Sequence, residues 1–225
     1  MTNYTLIRSK RKTIAIHITE GAAVVVRAPL NVPKANIDRF VVSKQDWIGR
    51  HLAARKQHIE SKAAFTLNYG DLVPMQGKKY PIAAGIGKRM GFDGAFFYIL
   101  PELSPNEIKN AVIQVYRIIA KTLFTNKVFN YAKRMGVTPI AVKINGAKTR
   151  WGSCSGKNSI NFSWRLIMAE DDVIDYVVVH ELAHIKEHNH SGSFWMIVES
   201  VLPDYRQRQV KLKELQKRLA DENWD

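Results

Sequence analysis

The sequence predicts an α+β protein: a β-rich N-terminal half followed by a catalytic half whose metal motif lies on a buried helix. Three observations carry that expectation. Short apolar runs punctuated by glycine and proline fill the first hundred residues, the mark of strands joined by turns. A long stretch with helical spacing then runs from Ser104 toward Gly136. Finally, His180-Glu181-Leu182-Ala183-His184 interrupts an otherwise apolar helical pattern, Tyr176-Val-Val-Val179, with three polar side chains.

Taken in order, Tyr4–Arg8, Thr13–Ile18 and Ala22–Ala28 alternate in strand fashion, with Gly21 and Pro29 as turn residues, and predict a small antiparallel sheet. The basic turn Arg8-Ser-Lys-Arg-Lys12 reads as an exposed hairpin tip, and His17, alone on its strand, as a packed or surface histidine. From Pro33 to about Lys62 the spacing of Ile37, Phe40, Val41, Trp47, Ile48 and Leu52 predicts one helix packed on that sheet. Residues 65–100 return to strands, with Phe96, Phe97 and Tyr98 as core candidates.

Ser104-Pro-Asn-Glu107 is a helix start: serine caps, proline fits the first turn and glutamate answers back to the cap. The helix it opens runs through Ile108, Val112, Val115, Ile119, Leu123 and Val128. The expected division is therefore 1–103, a β-rich subdomain with one helix, and 104–225, a hydrolase domain. Pro139–Ile144 and Ser159–Ser163 are strand-like, and an edge strand beside a catalytic cleft can hold extended substrate by backbone pairing. Between them, Trp151 and Gly152 suit close packing next to the cleft. Arg150 and Arg165 are candidates for a substrate carboxylate or phosphate, set against ion pairs with Asp172 or Asp175. The tail from Asp204 to Asp225 reads as an amphipathic helix.

The chemistry rests on His180 and His184. At i and i+4 they share one helix face, roughly 6 Å apart, and can bind one ion, while Glu181 beside them is placed to work on water as a general base. Catalytic zinc keeps three protein ligands and an open position. His190 is the preferred third ligand, because Asn189 readily takes the left-handed conformation that ends a helix and turns the chain back. His188 is a rival, but an unbroken helix would set its backbone about 12 Å in height from that of His180. Glu199, on the next amphipathic segment, ranks below His190 as well. Cys154 reads as a small buried thiol rather than a ligand.

Composition bounds the rest. The 225 residues carry 34 Lys and Arg against 20 Asp and Glu, a net charge of +14, enough to make polyanions plausible partners. The basic residues are scattered, however, so a solvated surface is preferred over direct nucleic-acid recognition; a nucleotide substrate needs only a local patch. A single cysteine excludes a disulfide framework. With no membrane-length apolar run and a polar start at Met1–Thr5, the expected location is the cytoplasm, away from membranes.

These motifs also resemble a known family. Thr149-Arg-Trp-Gly-Ser-Cys154, Ile160-Asn-Phe-Ser-Trp-Arg-Leu166, Ile174–His184, Asn189-His-Ser191 and Phe194-Trp195 are similar to the YgjP-like metal-dependent hydrolases, relatives of SprT-like and WLM zinc peptidases. Arg8–Thr13, Val26–Pro29 and Trp47-Ile48 extend the resemblance over nearly the whole chain. It implies a zincin-like catalytic half, one zinc ion on His180, His184 and His190, and Glu181 as base. Other divalent ions remain open. The substrate is expected to be a peptide or protein. Hydrolysis of nucleotide phosphoanhydrides suits the same centre, and a nucleic-acid-associated module with a structural metal is the non-enzymatic alternative.

Overall fold

The computed structural model describes residues 2–85, 87 and 89–224, so Ile86, Lys88 and Asp225, which fall within stretches read above as strands and tail helix, lie outside the described residues. The fold is mixed α+β, with six α-helices and three small sheets among the described residues. It divides into two compact units, Met1–Phe65 with Ala220–Asn223, and Thr66–Leu219 with Trp224–Asp225.

In the first unit, β1 (Thr5–Ser9), β2 (Ala15–Ile18) and β3 (Val24–Pro29) form one sheet in the order β1-β3-β2. The expected antiparallel sheet is corrected to a mixed one: β3 inserts between the other two, antiparallel to β2 but parallel to β1. Arg8 helps to hold this arrangement by donating to the carbonyls of Pro29, Leu30 and Val32 at and just beyond the end of β3. The single expected helix is two, α1 (Lys34–Ser43) and α2 (Gln45–Ala64), separated at Lys44 (φ −110°, ψ 13°). No proline or glycine marks that break. Its effect is to let Ile37 and Val41 from one helix and Ile48 from the other bury against Val24, Val26 and Ala28.

In the second unit, β4 (Leu72–Met75) and β5 (Lys78–Ala84) form a hairpin around Gln76-Gly77. Both turn residues have positive φ, 48° and 75°, the twist a two-residue hairpin requires and glycine tolerates best. β6 (Gly91–Phe92) and β7 (Phe97–Ile99) complete a sheet of order β4-β5-β7-β6. The helix α3 (Pro105–Met135) begins where the sequence predicts, with Ser104 N–H and Oγ both donating to Glu107 Oε2 at 2.9 and 2.6 Å. It ends at Gly136 in the left-handed conformation (φ 62°).

Ile108, Val112, Val115, Ala120, Phe124 and Val128 form the buried stripe of α3. The boundary expected at 103/104 is not where the compact units part. Phe97 of β7 packs on Tyr116 of α3 at 5.2 Å, and Tyr116 stacks on Trp164 at 5.8 Å, so residues 66–103 share a core with α3 and the chain beyond it. Each such fully buried aromatic contributes on the order of 1.5–3 kcal/mol relative to exposure.

The remaining sheet has the order β8 (Ala141–Asn145), β10 (Ser159–Ser163), β9 (Gly152–Cys154). β10 is parallel to β8 and antiparallel to β9, which leaves β9 as an edge strand. A 3-10 turn, Trp164–Met168, leads to α4 (Asp171–Ala183), followed by α5 (Gly192–Val201) and α6 (Tyr205–Ala220). No helix among the described residues is long and apolar enough to cross a membrane.

Candidate metal centre

The last turn of α4 carries His180 and Glu181, and His184 caps it. Val177, Val178, Val179 and Leu182 are buried around this turn, which therefore sits inside the unit rather than on its surface. The helix ends at His184, not at Asn189, and Asn189 is not among the residues with positive φ. The chain turns back through Ile185 and Lys186, whose N–H groups donate to Leu182 and Ala183 carbonyls. Ser191 then starts α5 by accepting the Phe194 N–H at 3.3 Å.

That reversal brings His190 over the motif. One ring nitrogen from each of His180, His184 and His190 lies within 4.8 Å of the other two, a spacing that can hold a metal ion. Neither rival joins the cluster: Glu199 is exposed on α5, and His188 lines the recess beside it without converging. The Nε2 atoms of His180 and His190 face each other at 3.1 Å. Burial, then the neighbouring His184 and His190, pushes the His180 pKa down to about 3, so that ring is held neutral. His184 is lowered too, first by burial; its Nδ1 faces the Glu187 carbonyl at 3.1 Å, where an Nδ1–H donates and leaves Nε2 with its lone pair. Neutral imidazoles with converging lone pairs are the donor set of a divalent transition metal.

Glu181 gives the second sign of fit. It is only 5% exposed, and its Oε2 has no hydrogen-bond partner. Burial raises its pKa to about 8, against the opposing pull of Arg150 and the Cys154 backbone N–H. A buried carboxyl left half-satisfied is costly, and such groups concentrate where chemistry uses them. Gly152 makes room for it: a Cβ there would lie 2.6 Å from both Cγ and Oε1 of Glu181. This is the close packing expected beside the cleft.

The recess, about 370 Å³, is lined by Gly152, Ser153 and Cys154 of β9 together with Glu181 and His180, His184, His188 and His190. Of the candidate substrate residues, Arg150 is exposed and close enough to bias Glu181 electrostatically. Trp151 is half-buried and its carbonyl takes the Ser163 N–H, which ties it to β10 rather than to the recess lining. Arg165 points elsewhere: it donates to the Gly146 and Trp224 carbonyls and lies over the Trp164 ring at 4.5 Å. The acids weighed as ion-pair partners for these arginines are held by lysines, Asp175 by Lys127 and Asp172 by Lys211.

Residues that spacing alone did not reveal complete the site. Phe194, fully buried, packs against all three imidazoles, with centroids 4.6–4.9 Å away, and Trp195 stacks on His190 at 5.8 Å. Tyr176, one turn before His180, places its hydroxyl 3.4 Å from His180 Nδ1.

Known proteins resemble this chain to different extents. A curated relative, the UTP pyrophosphatase of Escherichia coli (strain K12), is 26% identical over 101 residues, 45% of this chain and 58% of that protein, so the chain spans little more than half the relative's length. Two solved metallopeptidase zymogens are similar over part of the chain. Abylysin of Pyrococcus abyssi has 26% identity and TM-score 0.38, covering 43% of this chain and 94% of that one. Jannalysin of Methanocaldococcus jannaschii has 21% and 0.37, covering 42% and 95%. The model of the YgjP-like family, described as a metallopeptidase domain, matches residues 12–215, and the chain belongs to that family.

Proposed function

We propose that the protein is a zincin-like, zinc-dependent peptidase. His180, His184 and His190 would hold the ion and Glu181 would act as the general base. The observation that carries this reading is that β9, an edge strand, lines the same recess as the three histidines and Glu181. An edge strand can offer backbone groups to an extended peptide and lay it along the catalytic groups. The bound ion supplies Lewis-acid polarisation of the scissile carbonyl and a lowered pKa for water.

The protein's own groups do the rest. Glu181 Oε2, the unpartnered atom, takes the proton of the attacking water and returns it to the departing amine. Its place inside the recess beside the three histidines puts this carboxyl within reach of both acts. Arg150, exposed beside the carboxyl, is the retained candidate for a substrate anion, while Arg165 is given up because its guanidinium serves carbonyls and an indole. Trp151 precedes β9 in the chain and is kept as a substrate-binding candidate on that ground alone.

A second reading, hydrolysis of a nucleoside triphosphate to pyrophosphate, is favoured by the curated relative's name. It ranks lower because, among the described residues, no lysine or arginine lines the recess, where three phosphates would need them. Zinc-loaded protein given casein in parallel with a panel of nucleoside triphosphates separates the two. Peptide cleavage is expected; pyrophosphate release without proteolysis would transfer the site to the second reading. Steeply salt-dependent DNA binding with neither activity would instead favour a binding module with a structural metal.

A further inference from the structure

The three imidazoles are not held alike. His184 is oriented by a main-chain carbonyl, that of Glu187, which only accepts hydrogen bonds and so leaves one outcome for the ring. His180 is oriented by side chains. Its Nδ1 faces Tyr176 Oη at 3.4 Å, and Tyr176 Oη in turn lies 2.9 Å from the side-chain amide of Gln209, on α6. A hydroxyl can donate or accept, and a primary amide presents either its NH₂ or its oxygen after a half-turn about its last torsion. The polarity of this chain is therefore a choice, and the choice reaches the cluster.

With the amide nitrogen toward Tyr176, Gln209 Nε2–H donates to Oη at 2.9 Å. If the hydroxyl then donates its hydrogen to His180 Nδ1, that nitrogen carries the lone pair and the ring hydrogen sits on Nε2. But Nε2 is the atom that faces His190 at 3.1 Å, where a ligand needs a lone pair. Reversing the chain cures the conflict. His180 Nδ1–H donates to Tyr176 Oη, Tyr176 O–H donates to Gln209 Oε1, and Nε2 is left free. The two states have almost the same shape, because the amide oxygen and nitrogen exchange places.

We propose that Tyr176 and Gln209 are positioning residues for His180, and that the arrangement that frees Nε2 for a metal has the Gln209 amide oxygen on Tyr176. This rests on the metal reading of the cluster. It assigns α6 a part in setting affinity that no ligand motif in the sequence marks, and it predicts that the acceptor, not the amide as such, is what position 209 must provide.

The test is zinc affinity of the full chain, measured by competition with a chromogenic chelator, in the parent and in Y176F, Q209E and Q209L. Y176F removes the acceptor for Nδ1–H and should weaken zinc binding about 10- to 100-fold, the usual effect of losing such a support. Q209L should weaken it less, by several-fold, whereas Q209E, which can only accept, should stay within about twofold of the parent or bind tighter. Long-range ¹H–¹⁵N spectra of the zinc-loaded parent should show the His180 hydrogen on Nδ1. Loss in Q209E equal to that in Q209L, unchanged affinity in Y176F, or a hydrogen on Nε2 would overturn the proposal. A parent that takes up no zinc would instead overturn the metal reading beneath it.

Discussion

The two ends of α4 treat their polar groups in opposite ways. At the N-terminal end, Asp171 and Asp175 share Lys127 at 2.8 and 2.6 Å, and Asp172 meets Lys211 at 2.9 Å. Asp171 and Asp172 also lie in the first turn, where the positive end of the helix dipole favours them. Two turns on, Glu181 is buried with one oxygen unpartnered, and three imidazoles aim nitrogens at one another. One end has its charges matched within the fold; the other keeps unmet hydrogen-bonding and ligating capacity. The contrast separates a polar network closed within the fold from one that the proposed function would use.

The sharpest way to break that contrast is at Glu181. Glu181→Gln should retain its metal and lose roughly 10²- to 10⁴-fold in turnover, the range general-base catalysis contributes. Turnover measured beside metal content checks it, and parental activity in the metal-replete variant would remove Glu181 from its role. Lys127→Met, at the other end, should do the reverse. It leaves Asp171 and Asp175 without their shared cation and should cost about 1–3 kcal/mol of stability in denaturant titration, with specific activity per folded molecule unchanged.

A further test of the contrast is in pH. In metal-free protein the Glu181 pKa is raised by burial to about 8 from an ordinary value of 4.5, so the fold binds that proton more tightly than the unfolded chain does. Its contribution is therefore present below the unfolded value and is lost as pH rises toward 8. His180, lowered to about 3 from an ordinary 6.5, works on the other side: the unfolded chain binds its proton more tightly, and stability falls as pH drops below 6.5. Metal-free Glu181→Gln should then melt above the metal-free parent at pH 8 and converge with it near pH 4.5, while both share the acid loss. Parallel melting curves at the two pH values would show that Glu181 does not carry this penalty.

Much of the molecule is legible in the chain. His180 and His184 share a face because helix geometry is local, and the start at Ser104 and stop at Gly136 are written in capping chemistry that involves only neighbours in sequence. What failed were statements about distance and partners. Pairing of β1 with β3 depends on a strand that arrives later, the helix break at Lys44 has no local breaker, and the core that joins Phe97, Tyr116 and Trp164 crosses the expected boundary.

At the site the same division holds. Residue spacing alone determined that a histidine pair with an adjacent carboxyl would stand on one helical face, and that a third histidine was near in sequence. Only the tertiary structure decided that a turn through Ile185 and Lys186 returns His190 to the pair, that Phe194 packs against all three rings, that Gly152 clears space for Glu181, and that Gln209 reaches Tyr176. The physical reason is reach: backbone hydrogen bonds and helix periodicity act over a few residues, whereas burial and the pairing of side chains depend on which distant segments pack together.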